Sequence, residues 1–254
     1  MTTVILLVFG AIIGSFLNVV GLRWNSGLAL SGRSQCSHCG KKLSWFELIP
    51  ILSFLLLLGR CRSCHTKISW QYPIVELWTG LIFLSIYNLQ FTILQKLILI
   101  LVFCIYIVIM IYDFRHKIIP DTLVYSAIFL SLLVPLFIVH YSLIDWLAGP
   151  ALFAFFGLVW LLSKGRAMGF GDAKLALSVG LLLGAAGGLS AIVVAFWLGA
   201  FYGLLLVVFN STYPLSGGAK KITMKSEVPF APFIVLGAWI AVMLNLDLFH
   251  VSSF

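Results

Sequence analysis

Apolar runs too long for a soluble domain recur along this chain, and they decide most of what it can become. They fall at about 4–22, 73–90, 94–112, 121–140, 143–163, 173–187, 189–209 and 229–248. A helix needs about 20 apolar residues to cross a ~30 Å hydrocarbon core. The eight runs therefore predict an all-α polytopic membrane protein of about eight transmembrane helices. Composition agrees, with 62% of the 254 residues hydrophobic and only 9% charged. The 173–187 run is short, and Gly184, Gly187 and Gly188 predict close helix packing there. Leu48–Leu58 is apolar but cannot span, and reads as an interfacial or re-entrant segment. No Lys or Arg precedes Arg23, so the first run lacks the basic start of a signal peptide and reads as a retained span. Asn18 within it is expected to face protein rather than lipid, and Cys104 reads as a small buried apolar residue.

Three regions follow: 1–22 as the first transmembrane helix, 23–72 as a polar insert, and 73–254 as a helical core. The net charge of +8 would suggest nucleic acid in a soluble protein. The positive-inside rule accounts for it better, and no nucleic-acid partner is expected. Fifteen of the sixteen Lys and Arg residues fall on one side of the eight-span arrangement, and only Lys96 on the other. That side is the cytoplasm, which places both termini outside. The insert, Asp113 and Asp172 are then expected together at the cytoplasmic face.

The insert holds Cys36-Ser37-His38-Cys39 and Cys61-Arg62-Ser63-Cys64. Two such C-x2-C pairs can supply four thiolates to one zinc ion. Disulfides are the rival reading, disfavoured in a reducing cytoplasm. Cys36, Cys39, Cys61 and Cys64 are therefore the candidate ligands of a structural Zn2+. His38 and His65 are adjacent spares.

Two acids end up in unusual places. Asp113 closes the run Leu97–Tyr112, and Asp172 lies in Gly169-Phe170-Gly171-Asp172. A carboxylate at a membrane boundary is costly unless paired, solvated or functional. A single such acid reads equally well as a functional group and as a capping or snorkelling side chain. Two that share a site suit hydrolysis, one ionised to activate water and the other protonated to polarise the scissile carbonyl. Gly169 and Gly171 leave room for backbone approach, which an extended peptide substrate would need.

Several segments resemble one family in order. Tyr112-Asp113-Phe114-Arg115-His116-Lys117-Ile118-Ile119-Pro120-Asp121 and Gly169-Phe170-Gly171-Asp172-Ala173-Lys174 resemble the two aspartate motifs of type IV prepilin peptidases. Gly14-Ser15-Phe16-Leu17-Asn18-Val19-Val20 is similar to their first-span signature, and the double C-x2-C follows in the expected place. Ile68-Ser69-Trp70-Gln71-Tyr72-Pro73-Ile74-Val75-Glu76-Leu77 and Pro229-Phe230-Ala231-Pro232-Phe233 resemble two further family segments.

The resemblance implies a membrane aspartyl endopeptidase of the bacterial cytoplasmic (inner) membrane. It would cut the basic leader from type IV prepilin or pseudopilin precursors in the lipid bilayer, with Asp113 and Asp172 catalytic. It also implies N-methylation of the new terminus with S-adenosylmethionine, assigning 23–72 to methyl transfer and 73–254 to the peptidase. Glu76 reads in two ways: a first-turn acid favoured by the helix dipole, or the acid that orients the amine for methylation. Asp121 belongs to the matching segment, but at a helix start after Pro120 it reads as a capping or dipole residue rather than a catalytic one. The chain departs from the family at Leu48-Ile49-Pro50 and Gly21-Leu22, both in the methylation half, so a peptidase without methyltransferase activity is the first alternative. No soluble-type dinucleotide fingerprint is present. A proton-coupled transporter and a zinc-module membrane scaffold are the readings from other classes. Acids at one face rather than mid-membrane disfavour the first, and the Gly-flanked aspartate the second.

Overall fold

The computed structural model describes residues 2–27, 29, 32–36, 38–137, 141–166, 168–212 and 229–248. The polar loop with Lys220, Lys221 and Lys225 lies outside the described residues, as do Ser37 and the end of the 121–140 run. Among the described residues the fold is all-helical, without a strand. Four helices are long and apolar enough to cross a membrane: Thr2–Arg23, Ile93–His116, Leu143–Ser163 and Phe170–Val208. The chain divides into two compact units, Met1–Tyr112 and Asp113–Phe254.

In the first unit α1 (Thr2–Arg23) packs on α3 (Gln71–Asn88). The contact is made by Gly10 and Gly14, spaced as small residues must be to let two backbones approach. A Cβ at Gly10 would lie 2.8 Å from Gly80 Cα, and one at Gly14 2.7 Å from Thr79 Oγ1. Asn18, one turn on, is fully buried against α3, as expected of a polar residue that cannot face lipid. Between these helices lies the insert, with a 3-10 turn at Trp45–Leu48 and α2 at Leu52–Leu56. Leu52, Leu55, Leu56 and Leu58 are exposed on it, giving the apolar surface the interfacial reading requires. Phe54 and Trp70 pack at 4.8 Å between centroids and hold its base.

α4 (Ile93–His116) is buried nearly all round: Val102, Phe103, Tyr106, Ile107, Ile109 and Ile111 are each at most 1% exposed. A helix apolar on every side must be enclosed by others.

In the second unit α7 (Phe170–Thr212) packs against α5 (Asp121–Phe137), α6 (Leu143–Ser163) and α8 (Ala231–Leu244). Ser131 and Ser178, both fully buried, pair at 2.9 Å to tie α5 to α7. α7 has 43 residues, too long for one straight crossing, and breaks at Gly184 (φ 69°, ψ −168°). The expected boundary between two helices at 187–189 therefore moves to Gly184. That residue takes a backbone conformation which a side chain would oppose.

Candidate functional site

Asp113 sits in the last turn of α4, where the helix dipole disfavours an acid. It is 5% exposed, and its carboxylate accepts the backbone N–H of Ala231. Ala231 opens α8, whose N-cap Phe230 supplies no side-chain acceptor and whose next residue, Pro232, has no N–H to offer. Asp113 thus caps α8 from another helix, which gives the Pro229–Phe233 segment a physical role. Asp113 Oδ2 is buried with no hydrogen-bond partner among the described residues.

Asp172 lies in the first turn of α7 and is 8% exposed. Its own N–H donates to the Gly169 carbonyl at 3.2 Å, and its carboxylate accepts the Gly169 N–H. Gly171 is there for packing: a Cβ would lie 2.8 Å from the Cβ of Ile119. The room expected at Gly171 for a substrate backbone is thus taken by this chain's own α4–α5 connection. Asp113 and Asp172 lie within electrostatic reach of each other. Neither forms an ion pair among the described residues. The fold has brought together two buried carboxyls some sixty residues apart in sequence, with one oxygen unpartnered.

Asp121 lies in the first turn of α5, where its dipole reading placed it. It opens α5, but its carboxylate takes the Lys174 ammonium at 2.6 Å rather than a backbone amide, and 64% of its side chain is exposed. Lys174 also lies over the rings of Tyr125 and Phe170, at 4.9 and 5.3 Å. This lysine was missed as a site residue. Its place in Gly169-Phe170-Gly171-Asp172-Ala173-Lys174, two residues beyond Asp172, was the available signal.

The four cysteine sulfurs all lie within 4.8 Å of one another, with Cys36 Sγ and Cys64 Sγ 3.8 Å apart. Thiolates ~2.3 Å from one tetrahedral zinc stand about 3.8 Å apart. No disulfide links them. Each pair is carried on a small hairpin, bridged at Gln35–Lys42 and at Arg60–Lys67. The residue after each pair has positive φ, Gly40 at 69° and His65 at 55°. His65 is therefore a turn residue rather than a fifth ligand, and His38 is exposed. The cluster can hold one metal ion.

Glu76 is not in the first turn. α3 begins at Gln71, before Pro73, because proline is tolerated within a first helical turn. The dipole reading weakens accordingly, since the effect fades beyond that turn. Glu76 is 6% exposed, and its Oε2 accepts the Ile51 N–H at 2.8 Å. The Ser15 side chain hydrogen-bonds to it as well. It caps, but the amide it caps opens α2 in the insert rather than α3.

Residues 8–90 match the Bacterial Peptidase A24 N-terminal domain, and residues 98–204 match the Type IV leader peptidase family. A prepilin leader peptidase/N-methyltransferase of Stutzerimonas stutzeri is 31% identical over 272 residues, covering 93% of this chain and 89% of that protein. The chain belongs to the type IV leader peptidase family. A relative of the same name in Bacillus subtilis (strain 168) is 35% identical over 176 residues, 67% of this chain and 69% of the relative. One in Vibrio cholerae is 37% identical over 129 residues, 47% of this chain. That match spans 51% of the Vibrio protein. No solved structure gave a significant match. The leader peptidase match contains Asp113 and Asp172, and the N-terminal match contains the four cysteines and Glu76.

Proposed function

We propose that this protein removes the basic leader from type IV pilin-like precursors at the cytoplasmic face of the bacterial inner membrane. Asp113 and Asp172 form the catalytic pair. One observation carries the reading: two buried carboxyls within electrostatic reach that, among the described residues, have no counter-cation and leave one oxygen, Asp113 Oδ2, without a donor. An ion-pair network would not leave them so.

Two carboxyls this close accommodate a single negative charge best, so one holds a proton and the other does not. The ionised member takes a proton from water as its oxygen attacks the scissile carbonyl, and the protonated member hydrogen-bonds the carbonyl oxygen. Collapse of the tetrahedral intermediate breaks the C–N bond, and a proton passes to the departing amine. The leader leaves with a new carboxyl and the mature chain with a new α-amine. The pair titrates as a unit, and neither role belongs to one residue. The Asp121–Lys174 pair supports this chemistry by tying the start of α5 to the start of α7, the turn that carries Asp172.

Cys36, Cys39, Cys61 and Cys64 would hold one zinc ion, which with four thiolate ligands supplies structural support and no open position for water. The second activity is N-methylation of the new amine, for which S-adenosylmethionine supplies the methyl group. Glu76, buried beside α1, is the residue proposed to orient that amine. The peptidase-only reading is favoured by the two family departures, at Leu48-Ile49-Pro50 and Gly21-Leu22. Incubating the detergent-solubilised protein with a candidate precursor and S-adenosylmethionine, then weighing the products, decides between them. Leader loss is expected, followed by the mass of one methyl group. An intact precursor with every pilin-like substrate tried would sink the peptidase reading.

A further inference from the structure

Ile51 adopts a backbone conformation that a β-branched residue resists, with φ 62° and ψ −50°. The Leu52 N–H reaches back to the Pro50 carbonyl, making Pro50-Ile51-Leu52 the uncommon, strained hand of γ-turn. Strain of this kind persists only where the surroundings enforce it, and it collects at ligand clamps and switches. Here the Ile51 N–H is held by Glu76 Oε2 at 2.8 Å. A buried carboxylate is thus occupied by a neutral amide and the Ser15 hydroxyl, and among the described residues it forms no ion pair.

Three residues along α1 from Ser15, and so on the same face, is Asn18. Its amide nitrogen donates to the carbonyls of Gly14 at 3.3 Å and Tyr72 at 3.4 Å. Flipping the amide would set an oxygen against two carbonyls, so the nitrogen belongs where it is. That leaves Asn18 Oδ1, in a residue 0% exposed, as an acceptor without a donor among the described residues. The α1–α3 contact therefore offers an under-used carboxylate, an orphan amide oxygen and a hydroxyl. The group such a set accepts is a primary ammonium, with three N–H donors and a positive charge.

We propose that Ser15, Asn18 and Glu76 form a receptor for an α-amine, closed in this structure by the strained Ile51 turn. The proposal rests on the methyl-transfer reading above and names the ligand chemistry of its site. When the turn lifts, the amine replaces the Ile51 N–H at Glu76 and donates to Asn18 Oδ1. Relief of the strain at Ile51 offsets part of the cost of opening. Two sources carry such an amine: the methyl acceptor, which is the new N-terminus, and the methionyl end of the methyl donor.

The test uses full-length, zinc-loaded protein in lipid nanodiscs and two pairs of probes. One pair is a leaderless pilin-like peptide and its N-acetyl form; the other is S-adenosylhomocysteine and its deaminated form. Masking the amine is expected to weaken one probe at least about tenfold, and the responding probe names the source. Asn18→Leu should weaken the same probe comparably, whereas Asn18→Asp, which keeps the acceptor and adds charge, should retain it. A purely structural Asn18, needed for its bonds to Gly14 and Tyr72, would be lost equally in both variants, and equal loss overturns the receptor. Ile51→Gly relaxes the closed turn. It should raise the melting temperature yet weaken the amine probe roughly tenfold, because the closed state is favoured. Unchanged affinity in that variant overturns the lid. If the wild type binds neither probe, the methyl-transfer reading falls with the receptor. If it binds one, and masking and Asn18→Leu both leave the affinity within about threefold, only the receptor falls.

Discussion

Asp145 Oδ1 accepts the backbone N–H of Ala185 at 2.9 Å, one residue beyond the break in α7. The same carboxylate accepts from the Ser142 hydroxyl and N–H at 2.7 and 3.1 Å, closing a capping box at the start of α6. One acid thus serves two helix starts, its own and that of the second half of α7. Tyr141 completes the clamp by donating to the Leu181 carbonyl at 2.9 Å. A break in a helix leaves N–H and C=O groups without intrahelical partners, and Asp145 and Tyr141 serve one of each.

Gly184→Ala should therefore be severely destabilising. Its Cβ would lie 2.6 Å from Asp145 Oδ1, at a φ of 69° that alanine resists. We expect a loss of more than about 2 kcal/mol, read by unfolding in detergent. Asp145→Ala should cost roughly 1.5–3 kcal/mol for its charge-assisted bonds. Stability within about 0.5 kcal/mol of wild type in both would mean that the break needs no clamp.

For the proposed catalytic pair, Asp113→Asn or Asp172→Asn should abolish cleavage while the protein stays inserted and keeps its cysteine cluster intact. An amide keeps the shape and removes the proton exchange. Near-wild-type cleavage by either well-folded variant removes that residue from the pair. Asp121→Asn should be milder, because an amide oxygen can still accept from Lys174, whose bond it now makes at 2.6 Å.

Zinc should be present at one ion per chain. Replacing Cys36 and Cys39 with Ser should release it and destabilise the insert, because metal binding and folding are coupled in so small a module. Elemental analysis of purified protein decides the matter. A metal-free, stably folded wild type would refute the structural role.

Glu76→Gln should leave leader cleavage intact and reduce methylation at least about tenfold, the order associated with losing a positioned acid–base group. The glutamine oxygen can still accept the Ile51 N–H, so the insert stays docked and the loss reports on the carboxylate. Full methylation in Glu76→Gln would return this residue to a purely structural role.

Orientation can be read by labelling single cysteines. Asn88, exposed at the end of α3, should react from outside intact cells once changed to Cys. Ser216→Cys should react only after permeabilisation. Same-side reactivity contradicts the fifteen-to-one charge asymmetry and the eight-span arrangement drawn from it.

The helical membrane class, the cysteine cluster and the two scarce acids were all legible in one dimension. Long apolar runs admit one backbone solution in lipid, C-x2-C pairs have a narrow geometry, and Asp113 and Asp172 stand out because acids are so scarce. What the sequence could not determine was what each polar group faces. Asp121 was legible as a helix start, but its partner Lys174 lies fifty-three residues away. Pro73 suggested a helix start that in fact comes at Gln71, because a first turn tolerates proline. The break at Gly184 was misplaced by a few residues, since three nearby glycines look alike until Asp145 is seen to fit only one. Periodicity and spacing are local, so they survive in one dimension. Hydrogen bonds between distant segments depend on which helices pack together, so it took the packing of α1 on α3 to show that Glu76 holds Ile51 and that Asn18 Oδ1 has no partner among the described residues.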